Sequence, residues 1–373
     1  MLAIQRAFAF ILFFVLAAAP AWAQAPNAAI LTGVVVDDST GTPLAGVNVF
    51  ISESTIGTLT DGDGRYRIER VPLGAHRLYV SLLGFEPQPL DIMLREARVY
   101  TYDFRLSERP IELDGVEVIA KEDKRWQRNY ERFVKLFLGE TPNANGVIIK
   151  NPEVIDFQGG LANMKATASD ILIIENPALG YRIQYFLKDF EATPTRTSYD
   201  GEPLFEEMEP ETLEQKQEWE DARRKAFIGS VRHFLLAAIA DRLQPQGWEI
   251  FLRPFDGNGP SGPRFSDRRQ PIKLEDVLKP TGNPNEWELA FEGALEIYFK
   301  GEREDDAYRE WTQRPDVRVG RDPFQKSWIY QERGPVLIDY KGDLSQPYGI
   351  TQTGYFAFER MADDVPKEYR PGR

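Results

Sequence analysis

The chain has 373 residues, no cysteine and a formal net charge of −13 at pH 7. The lack of cysteine excludes disulfides, thiol nucleophiles and thiolate metal sites. The acidic balance argues against nucleic acid and anionic membrane surfaces as partners, and the length predicts two or three domains.

The N-terminus has the pattern of a secretory signal peptide. Arg6 precedes an apolar run over residues 7–19, and Ala21-Trp22-Ala23 forms a small-residue cleavage pattern. This run is shorter than the roughly 20 residues that span a bilayer, so an uncleaved anchor is the weaker alternative. We predict that residues 1–23 are a signal peptide and that no later segment crosses a membrane as a helix.

Residues 30–107 consist of short alternating segments separated by turns. Val47, Val49 and Ile51 are predicted to point to one side of a strand, and Asn48, Phe50 and Ser52 to the other. Similar alternation follows around Tyr66, Leu78 and Phe104. A period of two over many short segments predicts an antiparallel β-sandwich.

An ordered pattern across this region resembles the carboxypeptidase-regulatory-like domain. The matching residues are Gly33, Val35, Gly41, Pro43, Leu44, Gly46, Val47, Val49, Gly57, Thr60, Asp61, Gly64, Tyr66, Ile68, Val71, Pro72, Gly74, Leu78, Val80, Gly84 and Phe85. The resemblance implies a transthyretin-like, seven-stranded sandwich in an extracytoplasmic protein of Bacteroidota type. It does not imply peptidase activity, because in that family this module accompanies the catalytic domain and lacks its zinc ligands.

The acidic turn Thr60–Arg65 within this region leaves two interpretations open. Asp61 and Asp63 resemble the start of a calcium loop, but the other ligand positions of an EF-hand are missing. The segment lies between two alternating strands, where a hairpin turn is required. We favour the turn and keep a bound cation as the alternative.

Residues 108–140 are predicted to be a connector with an amphipathic helix over Glu122–Glu140. The first part of the connector, Ile111–Asp123, resembles the segment that leads into the plug of outer-membrane receptors carrying this module. The residues that follow are too few for both a plug and a barrel, so we do not predict a receptor. The helix has an aromatic stripe interleaved with basic residues. Packing against the next domain explains the stripe, and partner binding is the alternative. The candidate partner-binding residues are Trp126, Tyr130, Arg128 and Arg132.

Residues 141–373 are predicted to be a β-rich α+β domain of unknown function, in which an antiparallel sheet carries a long helical insertion. The main strand segments are Ile173–Ala192 and Trp287–Gly301, and the helical stretch is Glu211–Leu243 with a division or bend at Gly229-Ser230. Further strands are predicted at Val147–Lys150, Gly247–Pro254, Ser327–Gln331, Val336–Tyr340 and Gly354–Glu359, and an exposed loop at Arg253–Pro271.

Conventional catalytic patterns are missing from the sequence. His76 and His233 are the two histidines, and neither lies in a zinc motif. Paired carboxylates remain one enzymatic route, with candidates at Glu206, Glu207, Glu209, Asp189 and Asp200. Such clusters arise by chance in a chain with 58 acidic residues. We therefore predict no catalytic residue, no metal and no cofactor.

The sequence as a whole favours a non-catalytic, exported cell-envelope protein. We expect it to act as a binding or assembly module for an envelope protein partner, in the periplasm or at the cell surface and in association with the outer membrane. The alternative is a polysaccharide-binding or polysaccharide-cleaving protein that uses aromatic and carboxylate residues of the C-terminal domain. Exposed aromatic rings that flank inward carboxylates would favour this alternative.

Overall fold

The computed structural model describes residues 28–109, 124–259, 262–283, 285–313, 323–346 and 348–371. The predicted signal peptide and the receptor-like segment 111–123 lie outside these ranges. Within them, no helix has the length and apolar character that a membrane crossing requires.

The N-terminal region is a sandwich of two sheets. Its strands are β1 (Ala28–Asp37), β2 (Asn48–Ile51), β3 (Gly57–Leu59), β4 (Arg65–Pro72), β5 (Gly74–Ser81), β6 (Gln88–Leu94), β7 (Val99–Thr101) and β8 (Phe104–Leu106). One sheet has the order β4-β1-β7, with β8 also paired to β1, and the other has the order β3-β2-β5-β6.

The strand count and the core agree with the predicted sandwich. β7 and β8 are successive halves of one strand along β1, so the sandwich has seven strands by position. Val35, Val49 and Leu78 are fully buried between the sheets. One detail differs, because β1 pairs with β7 and β8 in parallel and only its pairing with β4 is antiparallel.

A second unit follows, in which one helix covers a six-stranded antiparallel sheet. The elements of this part are α1 (Lys124–Phe137), β9 (Ile148–Ile149), β10 (Ile155–Gly159), β11 (Met164–Ala168), β12 (Leu172–Asn176), β13 (Tyr181–Ala192), β14 (Thr197–Glu207), α2 (Leu213–Phe227) and α3 (Val231–Ile239). The sheet order is β10-β11-β13-β12-β9, and β14 pairs with β13 along its length. Phe133 and Phe137 of α1 are fully buried against Phe190 and Tyr185 of β13. The aromatic stripe of the connector helix therefore belongs to the core of this sheet.

A β-bulge in β13 explains why its sequence alternation is interrupted. Before the bulge the odd-numbered residues Tyr181, Ile183 and Tyr185 face the core. After the bulge the even-numbered residues Phe190 and Ala192 face it. The register between β13 and β14 shifts between Leu187 and Asp189, and an extra residue on one strand moves the following side chains to the opposite face.

The predicted long helix is divided where the sequence indicated. α2 ends at Phe227, and α3 begins after Ser230, whose hydroxyl accepts a hydrogen bond from the backbone N–H of His233. Ser is among the best residues for this capping position.

The last part of the chain has a second core. Its elements are β15 (Trp248–Arg253), β16 (Phe255–Gly259), β17 (Gly262–Phe265), β18 (Gln270–Pro271), α4 (Leu274–Val277), β19 (Leu278–Pro280), β20 (Glu286–Leu289), β21 (Ala294–Arg303), α5 (Asp306–Thr312), β22 (Phe324–Tyr330), β23 (Val336–Asp339), β24 (Thr351–Gly354) and α6 (Tyr355–Phe358). A five-stranded sheet has the order β18-β15-β21-β22-β24, and β19-β20-β23 form a smaller sheet. Phe234 of α3, Trp248 and Ile329 pack in the core of this part.

Two sequence predictions for this part were wrong in their local structure. The stretch Trp287–Gly301 is not one strand, because β20 and β21 belong to different sheets. Gly293 between them has φ 104° and approaches the carbonyl of Arg253 so closely that a Cβ would lie 2.2 Å from its oxygen. The segment Gly354–Glu359 was predicted as a strand but contains the helical turn α6, whose aromatic residues are buried on more than one side.

The sandwich contacts the C-terminal domain through a small aromatic cluster, which we call the seam. Phe50 and Tyr79 point away from the sandwich core, and both contact Phe186 of β13, with ring centroids 5.1 and 5.2 Å from it. Backbone hydrogen bonds join the turn after β2 to β14, from Glu53 N–H to the Pro203 carbonyl and from Phe205 N–H to the Ser54 carbonyl.

A buried carboxylate adds a polar contact to the seam. Glu202 of β14 is 3% exposed. Its carboxylate accepts hydrogen bonds from Ser52 of the sandwich and Lys188 of β13, and Arg77 of the sandwich lies 3.5 Å away. Apolar and polar contacts therefore hold the two parts together.

Candidate functional site

The outward face of the sheet formed by β15, β21 and β22 carries aromatic and charged side chains. Successive side chains of a strand lie on opposite faces, so Ile250, Ile297 and Ile329 pack inward and their neighbours point outward. The outward residues are Phe251, Arg253, Glu296, Tyr298, Lys326, Trp328 and Tyr330. We call this set, together with Arg269 from the adjoining loop, the aromatic face.

A fully buried carboxylate lies at the centre of the aromatic face. Glu296 accepts hydrogen bonds from Tyr298 at 2.7 Å and from Arg253, and Lys326 lies 2.9 Å away. Burial alone would raise the pKa of Glu296, but the hydrogen bonds from Arg253, Tyr298 and Lys326 lower it to about 2. Glu296 is therefore ionised near neutral pH and has no proton to donate.

Cations lie over the aromatic rings around Glu296. The Lys326 ammonium is 4.9 Å from the ring centroid of Tyr298 and 5.0 Å from that of Trp328. The guanidinium of Arg269 is 4.4 Å from the ring centroid of Phe251 and donates a hydrogen bond to the Tyr298 hydroxyl at 3.2 Å. These distances are in the range of cation–π attraction. The rings are held in fixed positions, partly accessible to solvent.

The β16-β17 hairpin extends the aromatic face at one end. Phe265 contacts Tyr330 with ring centroids 5.2 Å apart, and Phe255 beside it is 55% exposed. The sequence segment predicted as an exposed loop therefore adds two further rings to the same surface.

The sequence analysis missed the aromatic face, although a signal for it was present. Phe251 and Arg253, Glu296 and Tyr298, and Lys326 and Trp328 are each separated by one residue, so each pair shares one strand face. Which three strands are neighbours could not be read from the sequence, since their pairing is non-local.

The four candidate residues on α1 lie in two different environments. Trp126 donates a hydrogen bond to the Ile155 carbonyl at 2.9 Å and stacks on Tyr130, with ring centroids 5.0 Å apart. Arg132 donates hydrogen bonds to the carbonyls of the loop before β11 and of Thr193. Arg128 is exposed. Three of the four residues thus have contacts within the chain, and their binding to a partner stays a prediction.

The five candidate acidic residues are dispersed. Glu206 pairs with Arg182 at 3.5 Å and Glu207 with Arg223 at 3.3 Å, while Glu209 is exposed beyond β14. Asp189 and Asp200 are opposite each other in β13 and β14. Asp189 accepts a hydrogen bond from the Tyr348 hydroxyl at 3.1 Å, and Lys188 lies 3.9 Å from Asp200.

The acidic turn is supported by its own backbone. The Asp61 carboxylate accepts hydrogen bonds from the backbone N–H groups of Asp63 at 2.9 Å and Arg65 at 2.8 Å. Asp side chains commonly stabilise turns in this way. These contacts are those expected of a hairpin turn and explain the presence of Asp61 there.

Both histidines have contacts within the protein. His233 packs against Trp248 and Phe299 and accepts a hydrogen bond from the Gly229 N–H at 3.1 Å. His76 lies between Pro72 and Lys341. Burial, reinforced by the Lys341 ammonium, lowers the pKa of His76 to about 4. The described residues include no group of three or more His, Cys, Asp or Glu that could hold a metal ion.

The comparisons with known proteins concern the N-terminal part of the chain. Residues 31–118 match the family model of the CarboxypepD_reg-like domain, which confirms the resemblance found in the sequence. The chain is 36% identical over 58 residues to the TonB-dependent receptor SusC of Bacteroides thetaiotaomicron, covering 16% of this chain and 6% of the receptor. It is 37% identical over 90 residues to the TonB-dependent receptor P39 of Formosa agariphila, covering 24% of this chain and 8% of the receptor. The chain thus spans less than a tenth of either relative.

Similarities to solved structures cover a similar share of the chain. The major pilin subunit BcpA of Bacillus cereus is 10% identical with a TM-score of 0.20, covering 22% of this chain and 31% of the pilin. The 5-hydroxyisourate hydrolase of Klebsiella pneumoniae is 23% identical with a TM-score of 0.18, covering 22% of this chain and 91% of the hydrolase.

Proposed function

We propose that this protein is a non-catalytic cell-envelope protein that binds an envelope partner through the aromatic face. The observation that carries the proposal is the set of partly accessible rings and cations fixed around Glu296. Trp, Tyr and Arg are the residues that contribute most often to the energetic centres of protein interfaces. Rings that are already held in place lose little conformational entropy on binding.

The chemistry of Glu296 supports binding over catalysis. A general acid needs a proton at the working pH, and glycoside hydrolysis needs a second carboxylate across the substrate. The pKa of Glu296 lies at about 2, and its oxygens accept hydrogen bonds from Arg253 and Tyr298. Glu296 therefore serves to hold the cations and rings of the face in position.

In this proposal the sandwich packs against the C-terminal part of the chain, which carries the aromatic face. Its outward Phe50 and Tyr79 contact Phe186 in the seam, so these rings are not available to an external partner. The predicted signal peptide and the two receptor relatives support export to the envelope and an association with the outer membrane.

The proposal is tested by capture of partners from cross-linked cells of the native host. Arg269→Glu reverses an exposed charge over Phe251, and we expect the recovery of a specific envelope protein to fall about tenfold or more. Arg98→Glu is the matched control, because Arg98 also lies over an aromatic ring, 4.2 Å from the Tyr100 centroid on the sandwich. Equal recovery with both variants would contradict the proposal.

Helix α1 is a second surface through which the protein could contact the same envelope partner. Arg128 is the exposed member of its four predicted residues. Arg128→Glu in the same capture experiment should lower recovery if α1 takes part, whereas unchanged recovery would remove α1 from the proposal.

Glycan binding is the second candidate function, and the same rings favour it. Trp328, Tyr298 and Phe251 share one surface, and aromatic rings of this kind can stack on sugar rings. A glycan array with the purified protein, compared with its Trp328→Ala variant, tests this candidate. Binding that disappears in the variant would support a glycan ligand, and an array without signal would exclude the glycans tested.

A further inference from the structure

The aromatic face carries more positive than negative charge. Its charged members are three cations and one carboxylate, namely Arg253, Arg269, Lys326 and Glu296. The next outward positions on β15 and β21 are Glu249 and Lys300, which compensate each other in an ion pair at 2.6 Å. The face therefore has an excess of two positive charges in a chain whose formal net charge is −13.

The exposed charges of the adjoining hairpin and loop do not remove this excess. Two of them are acidic, Asp256 and Asp267, and two are basic, Arg264 and Arg268. A surface with a local excess of positive charge attracts anionic groups and repels cationic ones. The face therefore disfavours basic partners, although the chain as a whole is acidic.

Glu296 compensates only part of the charge beside it. Arg253 donates a hydrogen bond to its carboxylate and Lys326 lies 2.9 Å from it, so two positive charges share one negative charge. The side chains of Arg253 and Lys326 are 17% and 13% exposed, so solvent compensates the remainder incompletely. An anionic group of a partner that lies above them would be attracted to both cations.

Arg269 is the exposed cation of the face. Its guanidinium lies 4.4 Å from the ring centroid of Phe251 and 5.6 Å from that of Tyr298, whose hydroxyl accepts a hydrogen bond from it at 3.2 Å. Among the described residues, Arg269 forms no ion pair with a carboxylate. A guanidinium has five N–H donors in a planar arrangement that matches a carboxylate. The two rings hold this group in position, with donors left for a partner.

Apolar rings lie beside these cations. Phe255 is 55% exposed and contacts Phe265, with ring centroids 6.4 Å apart, and Phe265 in turn contacts Tyr330. The two phenylalanine rings carry no polar atom. They favour apolar side chains of a protein over the hydroxyl groups of a sugar, which would lose hydrogen bonds to water against such rings.

We infer that the envelope partner presents an acidic segment to the aromatic face, with a carboxylate paired with Arg269 and an apolar side chain against Phe255 and Phe265. The inference rests on the proposed function, because it names the chemistry of the partner at the same surface. Arg253 and Lys326 add to the attraction for the acidic segment. Charge complementarity of this kind contributes mainly to the specificity and the association rate of a complex.

Calorimetry of the full chain tests the inference with three terminally blocked peptides. The first repeats Glu-Tyr three times, and the other two have Gln or Lys in place of Glu. We expect the Glu peptide to bind about tenfold or more tightly than the Gln peptide, and the Lys peptide to give no binding. Raising the salt concentration from about 0.05 M to about 0.5 M should weaken binding of the Glu peptide, because salt screens exposed charges.

Two pairs of variants assign the binding to the face. Arg269→Gln should weaken binding of the Glu peptide about tenfold, whereas Arg98→Gln, which removes an exposed arginine over a ring of the sandwich, should leave it unchanged. Phe255→Ser should weaken binding severalfold, and Leu213→Ser is its control, because Leu213 is an apolar side chain that is 87% exposed on α2. Thermal unfolding of each variant checks that it is folded.

The outcomes separate this inference from the proposed function. Equal binding of the three peptides, or no binding of the Glu peptide, would overturn the acidic segment. Polygalacturonate serves as a fourth probe, and its binding through Arg269 without binding of the Glu peptide would assign the anion to a glycan and also overturn the inference. If the Glu peptide does not bind while Arg269→Glu still lowers capture of an envelope protein, the proposed function stands and only the acidic segment is wrong.

Discussion

Glu296 and Glu359 lie in the C-terminal part of the chain in opposite electrostatic surroundings, the first fully buried and the second half-buried. Glu296 has three donors around it, and its pKa is lowered to about 2. Glu359 has four acidic neighbours, and its pKa is raised well above the ordinary value. The comparison teaches that the partners of a buried carboxylate, more than its burial, decide whether it is fixed as an anion or retains a proton.

The largest expected effect is the loss of the anion at the centre of the aromatic face. Glu296→Gln leaves Arg253 and Lys326 near each other without a counter-charge. Breaking a buried ion pair on one side costs about 3 kcal/mol or more, so we expect the free energy of unfolding to fall by about 3 kcal/mol. Urea unfolding at pH 7 measures this change. Glu288→Gln, an exposed position on β20, should change stability little, and an equal loss in both variants would contradict the comparison.

The opposite sign is expected for Glu359, whose charged neighbours are acidic. Glu359→Gln removes a group whose ionisation is opposed by its neighbours, so we expect the protein to become more stable by about 1–2 kcal/mol at pH 8. The gain should be smaller at pH 5 than at pH 8, because the raised pKa lets a larger fraction of the carboxyl bind a proton at the lower pH. Urea unfolding at both pH values measures it, and a loss of stability at pH 8 would show that Glu359 has a favourable partner.

Stability should also depend on pH in a defined direction. A carboxyl with a raised folded-state pKa binds a proton more strongly in the folded state, so its contribution is present at low pH and is lost as the pH rises through the folded value. The pKa of Asp364 is about 7. The lowered pKa of His76 acts in the opposite sense, but only below its ordinary value of 6.5. Between pH 6.5 and 8 we therefore expect stability to fall, and Asp364→Asn should flatten this slope in urea unfolding curves.

A smaller effect is expected at the seam, where the buried carboxylate has partners that solvent partly reaches. The side chains of Arg77 and Lys188 are 37% and 29% exposed, so water can compensate them when Glu202 is neutralised. We expect Glu202→Gln to lower the free energy of unfolding by about 1 kcal/mol. The measurement is the same urea series, with Glu206→Gln as the surface control. A loss as large as that for Glu296→Gln would show that solvent access does not matter at the seam.

The smallest expected effect concerns Asp61 and Asp63. Because the Asp61 carboxylate already accepts two backbone hydrogen bonds, we expect millimolar Ca²⁺ to leave the thermal unfolding temperature unchanged. A rise that is lost in Asp63→Asn would support the cation alternative.

The sequence predicted local structure better than it predicted the site. Alternation located the sandwich strands, and Gly229-Ser230 located the division between α2 and α3, because both signals depend on neighbouring residues. The pattern failed at Gly354–Glu359, where aromatic residues pack on both sides of a helical turn. It also failed at Trp287–Gly301, where a close backbone approach at Gly293 divides the strand.

The aromatic face and the contacts between distant segments depend on non-local pairing, which a single sequence does not contain. Glu296 meets Arg253 across 43 positions and Lys326 across a further strand. Glu53 reaches Lys367 from the opposite end of the chain. A glutamate with a lowered pKa and one with a raised pKa look the same in the sequence, so only the fold separates their chemistry.

The backbone hydrogen bonds between the turn after β2 and β14 also give the protein a mechanical property. They connect the sandwich to the six-stranded sheet through Glu53, Ser54 and their partners. A pulling force applied to the sandwich would load these bonds. Tension on the sandwich would therefore reach the six-stranded sheet through these bonds, and the contacts of Tyr340 with Leu73 and of Glu368 with Thr55 would share the load.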